Sequence, residues 1–375
     1  MRRAAHNRKI IQKGSMDRGL VWLIILLSVF GAFMVFSASA PYALKQFGDA
    51  KYYFVRDAIF SVLGILVMFL FSHIDYRLYR RFAMPLYVVA LLSCLLVWVP
   101  GLKYPINQAH RWIHLGPVTY MPSDGLKITS LILLATMLSD KRPEENGSLR
   151  KFITVLLFIG ITILPIYLQP NFSAVIVISA TLLFTYFVFG MSLWHFLPML
   201  GVAAVGLLYA FWPRPGNYRL ERLLSVLNPK RDPSGSGWQL LQSLYAVASG
   251  GLFGVGYGKS VQKFDYLADE PHNDFIFAVI SEELGFFGAF LVIAAFCFLA
   301  YRGLKIAGKA KTLFGRMLAS GLTFLICFQA MVNIGVSIGV IPTTGITLPF
   351  ISYGGSSLVI MSLMAGILLN ISRDA

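Results

Sequence analysis

Ten runs of apolar residues, each long enough to cross a lipid bilayer, constrain this chain more than any other feature. A spanning helix needs about 20 largely apolar residues, with a range of about 17–25. Stretches 19–38, 55–74, 83–100, 122–139, 152–169, 171–190, 192–212, 275–301, 317–340 and 356–372 meet that requirement. Only Pro170 and Asn171 are available to turn the chain between the fifth and sixth. Charged residues make up 13% of the chain and mean hydropathy is +0.70. A soluble domain carries roughly 25% charged residues, so a soluble enzyme would leave far too much apolar area against water. The expected fold is all-α: a polytopic membrane protein with about ten transmembrane helices, forming one integral membrane domain over residues 1–375. The first run has the basic flank of a signal peptide and an Ala38-Ser39-Ala40 site. It exceeds the roughly 7–15 residues of a signal core, so it reads as a retained anchor.

Net charge is +15. On a soluble protein that excess would suggest nucleic acid. Here the basic residues sit between apolar runs, and topology explains them without a nucleic-acid partner. With ten spans both termini share a side. Nineteen Lys and Arg then fall on the terminal side, five in the two short loops opposite, and seven in the long 213–274 loop. Orientation follows short loops and discounts long ones, so both termini, including the 1–18 tail, are expected in the cytoplasm.

Cys94, Cys297 and Cys327 each lie inside an apolar run, which gives neither a disulfide framework nor a metal spacing. No Walker A sequence occurs. The Gly-rich stretch 250–258 contains a loose dinucleotide-like pattern but precedes no βαβ unit, which removes the cofactor reading.

The external side is richer in chemistry. One loop, 101–121, carries Asn107-Gln108-Ala109-His110-Arg111-Trp112. In the long loop, Tyr218–Leu227 and Trp238–Ala248 have the apolar spacing of amphipathic helices at a membrane surface. With Arg214, Arg219, Arg222, Lys230, Arg231, Lys259 and Lys263, this loop suits an anionic amphiphile such as a lipid phosphate or pyrophosphate, or a solvated loop touching headgroups. Asp274 immediately precedes the eighth span. A carboxylate at a rigid helix start beside apolar neighbours has properties of a general base; a simple helix cap is the alternative. Charges inside spans are functional hypotheses by default. Lys127 stands i,i+3 from Asp124, so the two can pair on one helix face. Glu282, Glu283 and the i,i+4 pair Gln329 and Asn333 imply a polar interior or interhelical glue.

Five ordered motifs now bear on the reading. They are Gly237-Trp238-Gln239 with Gln242-Ser243; Ser249-Gly250-Gly251-Leu252-Phe253-Gly254; Gln262-Lys263 with Tyr266-Leu267; His272-Asn273-Asp274-Phe275 with Glu282-Glu283-Leu284-Gly285; and Thr347-Leu348-Pro349-Phe350-Ile351-Ser352-Tyr353-Gly354-Gly355. They resemble the SEDS proteins, a family comprising FtsW, RodA and SpoVE, and the likeness runs from about residue 17 to 373. Gln262-Lys263 with Tyr266, and Thr347 in place of a second proline, are more similar to FtsW or SpoVE than to RodA. The resemblance implies a ten-span glycosyltransferase that polymerises lipid II into peptidoglycan strands on the outer face of the bacterial cytoplasmic membrane. It implies a class B penicillin-binding protein and other division proteins as partners, at the division septum. It assigns Asp274 as the catalytic residue. By motif it places Trp112, Ser123 and Lys127 at the substrate, which is lipid II and the undecaprenyl pyrophosphate-linked glycan. Arg111 and Lys263 are expected there as cations that meet the charge on the leaving pyrophosphate, with Gln242, His272, Ser352 and Tyr353 as further substrate-binding candidates. No metal ligand set is expected, although a divalent cation could help to neutralise pyrophosphate. Five departures stand out: Asn273 for Thr, Asp124 for Glu, Thr344 for Lys, Asn171 where the family has Asp, and Asp269-Glu270-Pro271 where it has Leu-Pro-Glu. A lipid II flippase and a non-catalytic division scaffold are the competing readings.

Overall fold

The computed structural model describes residues 14–374, apart from 100–102, 107–108, 116–117, 140–146, 215, 230–235, 265–266 and 268–270. Each of the ten expected spans is a helix. They are α1 (Arg18–Phe47), α2 (Tyr52–His73), α4 (Ala83–Leu95), α5 (Pro122–Ser139), α6 (Leu149–Leu168), α7 (Phe172–Val188), α8 (Leu193–Ala210), α11 (Ile276–Lys309), α12 (Leu313–Ser337) and α13 (Gly355–Ser372). Seven of these are long and apolar enough to cross a membrane by length and composition alone. Helices α4, continued by a 3-10 turn to Trp98, and α7 are shorter but apolar. Helix α5 carries Asp124 and Lys127, and it tolerates them because both lie in the protein interior. Three further helices complete the fold: α3 (Arg77–Arg81), α9 (Tyr218–Leu227) and α10 (Ser236–Ser249).

Burial sorts the helices into centre and rim. Most of α12 and α13 is enclosed, whereas α8 buries only 12% of its apolar window. Rim helices expose apolar rows at helical spacing, such as Leu63, Leu66 and Leu70 on α2 and Leu157, Ile161, Leu164 and Leu168 on α6. Rows of this length face lipid, where helices satisfy their own backbone groups. The fold is therefore a multi-pass membrane protein.

Side-chain contacts sort the loops as the charge count does. At one end, Asp17 binds Arg302 at 2.6 Å, Arg77 binds Asp374 at 2.6 Å, and Gly14 donates to the Arg373 carbonyl. That end gathers residues 14–17 and 372–374 with the 75–82 and 302–316 connections. At the other end, Arg111 donates to the Pro170 carbonyl and Arg222 to the Thr343 carbonyl, joining the 101–121 loop, the long loop and the connection before α13. A topology experiment follows. In a chain with its three cysteines replaced by serine, Arg214→Cys should react with a membrane-impermeant thiol reagent on intact cells and Lys309→Cys should not. Reversed labelling would invert the orientation.

Two features depart from the expectation. The 101–121 loop folds into a small antiparallel sheet, β1 (Lys103–Ile106), β2 (Ala109–Leu115) and β3 (Val118–Tyr120). Its register pairs Tyr104 with Trp112 and Ile113 with Tyr120. Helix α11 is also not continuous: Gly285 adopts φ 67°, ψ −164° inside it. The break frees the Glu282 and Glu283 carbonyls, which accept instead from Val255 and Gly256 N–H at 3.0 Å each. The Gly-rich stretch thus closes a backbone gap that lipid could not satisfy. The Cβ of any residue but glycine at position 254 would fall 2.1 Å from the Glu283 carbonyl oxygen.

Candidate active site at the loop-bearing end

Segment 272–275 enters α11 from the long loop and is held by its own backbone carbonyls. Tyr353 N–H donates to the His272 carbonyl at 3.1 Å. Ser352 Oγ donates to that of Asn273 at 2.7 Å and accepts from Leu348 N–H at 2.7 Å. Asn333 Nδ2 donates to that of Asp274 at 2.9 Å and to that of Ile346 at 2.7 Å. Three successive carbonyls are therefore fixed by three different residues, and the partly exposed Asp274 is presented from a rigid backbone. The N-cap position of α11 belongs to Phe275, whose side chain makes no cap bond. Asp274 stands one residue outside it, which weakens the capping alternative.

A polar ladder supports this backbone from inside the bundle. Lys127 Nζ bonds Asp124 at 2.7 Å and Gln329 Oε1 at 3.1 Å, and Gln329 Nε2 bonds the Thr347 carbonyl at 3.1 Å. The i,i+4 pair of α12 thus grips two adjacent carbonyls of the loop that in turn holds Asp274. Ser123 and Lys127 are both buried; Lys127 belongs to this support, whereas Ser123 Oγ accepts from Asn171 Nδ2 at 3.5 Å. Asn171 is buried beside them. Its Oδ1 accepts from Ala174 N–H at 3.3 Å and caps α7. Asn caps about as well as Asp, so this departure keeps the local fold.

The cationic wall of the site comes from two loops. Arg111 on β2 donates to the Pro170 carbonyl at 2.6 Å, and Tyr218 donates to the same oxygen at 3.3 Å. Burial lowers the Arg111 guanidinium from its ordinary value, with Tyr218 and Asp274 opposing and Arg222 reinforcing the shift. Arg111, Arg222 and Asp274 therefore share one electrostatic neighbourhood. Arg219, beside them on α9, stacks on Tyr167, Phe172 and Tyr218. Trp112 follows Arg111 on β2 and is half-buried. Sequence reasoning named Arg219 and Arg222 only as members of a basic loop; their places on one amphipathic helix with Tyr218 were the available signal.

Three other expected site residues are buried. Lys263 is buried, with Nζ bonded to Glu283 at 2.8 Å and Ser37 Oγ at 3.0 Å. Glu283 also accepts from Ser37 at 2.6 Å and from Ser260 N–H at 3.3 Å. This ion pair locks residues 260–263, just after the Gly-rich stretch, to the broken helix and does not join the arginine wall. Gln242 is buried on α10. His272 is enclosed by Tyr53, Tyr353 and Tyr42, with ring centroids 4.3, 5.4 and 6.2 Å away. Burial pushes its imidazole down to about 3, so it is neutral at physiological pH. Asp269 and Glu270 lie outside the described residues.

Comparison with known proteins agrees with this architecture. Residues 18–375 match the cell cycle protein family model of FtsW, RodA and SpoVE. Stage V sporulation protein E of Bacillus subtilis is 41% identical over 365 residues, covering 96% of this chain and 98% of that protein. A probable peptidoglycan glycosyltransferase FtsW of Trichlorobacter lovleyi is 38% identical, covering 97% and 95%. Among solved structures, a chain of a peptidoglycan synthase complex, described for its coordination of polymerization and crosslinking, superposes with a TM-score of 0.80. It is 31% identical and covers 96% of this chain and 98% of that one. The rod shape determining protein RodA of Thermus thermophilus superposes with a TM-score of 0.70 at 28% identity, covering 96% and 97%. On the full-length family match and the identity to these relatives, the chain belongs to the FtsW, RodA and SpoVE family of cell cycle proteins.

Proposed function

We propose that this protein is a peptidoglycan glycosyltransferase that polymerises lipid II into glycan strands at the outer face of the cytoplasmic membrane, in septal wall synthesis. The observation that carries the reading is Asp274, which stands in a segment whose three carbonyls are each held by another residue and within electrostatic reach of Arg111, in a family with relatives named for that activity. The whole chain acts as one membrane domain, and the arginine-bearing end faces outward.

The reaction needs a base and cations. The 4-hydroxyl of the N-acetylglucosamine of an incoming lipid II attacks the anomeric carbon of the growing strand. A new glycosidic C–O bond forms, the bond to undecaprenyl pyrophosphate breaks, and configuration inverts. Asp274 takes the hydroxyl proton; pyrophosphate leaves with the bonding electrons. Arg111 and Arg222 meet the charge that develops on it, the term that preorganised cations serve best. Ser352 and Tyr353 act through the carbonyls they hold, and Lys127 through the ladder behind them. A divalent cation could share the neutralisation. No group of three or more His, Cys, Asp or Glu is assembled among the described residues.

Purified protein with a class B penicillin-binding protein and labelled lipid II should yield a ladder of glycan polymer. Transbilayer movement of lipid II without polymer would instead indicate a flippase, and neither product a scaffold. Trp112 is proposed to lie against the substrate. Trp112→Ala should abolish the ladder while membrane insertion and detergent stability stay near normal. Full polymerisation by both Trp112→Ala and Trp112→Phe would leave Trp112 as an interfacial anchor only.

A further inference from the structure

We propose that a cavity at the opposite end, where residues 14–17 meet 372–374, binds a phosphate group carried by an anionic phospholipid. The cavity holds about 480 Å³ and is lined by Arg77, Arg80, Arg81, Thr136, Thr312 and Phe314. Ligand pockets are typically about 300–1,000 Å³, so a glycerophosphate headgroup fits. The three arginines stand at i, i+3 and i+4 on α3, the spacing that puts side chains on one helix face. Asp374 bonds Arg77 at 2.6 Å, and Thr136, Thr312 and Phe314 complete the lining around the three arginines. Planar guanidinium forks match phosphate oxygens better than any other side chain.

A second observation selects a lipid over a free phosphate. Leu78 and Phe82, interleaved with the arginines at i,i+4, are large apolar side chains left exposed, as is Met84 at the start of α4. The same short segment therefore offers cations to a headgroup and apolar surface to acyl chains. Basic pockets between helices on the cytoplasmic side of a membrane bind headgroups in this way. The wall-synthesis reading plays no part in this inference, because none of these residues belongs to the Asp274 site.

The test uses the full chain in neutral detergent, with thermal unfolding followed at increasing phosphatidylglycerol, phosphatidylcholine or inorganic phosphate. Phosphatidylglycerol should raise the midpoint saturably and phosphatidylcholine should not. The Arg80→Gln/Arg81→Gln double variant should elute and melt normally without lipid, yet require at least ten-fold more phosphatidylglycerol for the same shift. Lys309→Gln, an exposed basic residue outside the cavity, should behave as the unaltered chain. Inorganic phosphate that protects equally and competes with the lipid would keep the cavity as a phosphate site and name a soluble source. Equal response to both lipids with none to phosphate, an unchanged double variant, or an equal loss in Lys309→Gln would each overturn the proposal.

Discussion

Gly285→Ala is expected to destabilise the protein by on the order of 3 kcal/mol or more, because two penalties coincide. The backbone there, φ 67° and ψ −164°, lies in a region essentially reserved for glycine, and forcing another residue into it costs roughly 1–3 kcal/mol. The added Cβ would also fall 2.3 Å from the Gly254 nitrogen and 2.6 Å from the Leu252 carbonyl. These are backbone atoms that cannot rotate away, and overpacking of that kind costs a further 1–3 kcal/mol or so. Gly160→Ala is the control: it lies within a regular helix with nothing within 4 Å of its Cβ. It should be neutral or slightly stabilising, since Ala exceeds Gly by about 1 kcal/mol in helix propensity. Thermal unfolding in detergent should separate the two clearly, and similar midpoints would mean that the break in α11 is not a structural requirement. The effect should extend to activity. Segment 272–275 leads straight into α11, which carries the break at Gly285, so disturbing the break disturbs the helix that segment 272–275 enters.

That break was invisible in the sequence for a physical reason. Residues 275–301 form one apolar run, and hydropathy reports solvent, not backbone direction. The ten helices were legible because crossing lipid requires an apolar run of roughly 17–25 residues, and the ends of α5 agree with the apolar run to the residue. The i,i+3 pairing of Asp124 with Lys127 was legible because helix geometry alone sets it. Pairings across the chain were not. Ser37 and Glu283 are 246 residues apart, and nothing local indicates that Lys263 turns inward to join them. The β1–β3 sheet was missed because its strands are three to seven residues long and lie between two spans. Asp274 was singled out by position and by resemblance, whereas its support by Asn333 and Ser352 required the fold. Asn333 was noted only as polar glue within a span; its two carbonyl partners come from different connections.

Asp274→Asn should show the largest loss of activity. The substitution keeps size and hydrogen-bonding capacity and removes basicity, and a general base contributes about 10²–10⁴-fold in rate. The backbone bonds to the carbonyls of 272, 273 and 274 do not involve the carboxylate, so the fold and the arginine wall should persist. Asp274→Glu should keep a small activity, since the carboxylate moves by one methylene within the same frame. Asp269→Asn and Glu270→Gln should be milder, standing outside the position that matches the family. The decisive measurement is the rate of glycan polymer formation by purified Asp274→Asn with its partner and labelled lipid II, read beside lipid II binding to the same preparation. The account predicts a rate at least about 100-fold lower with binding retained; near-normal polymerisation would contradict it and remove Asp274 from the chemistry.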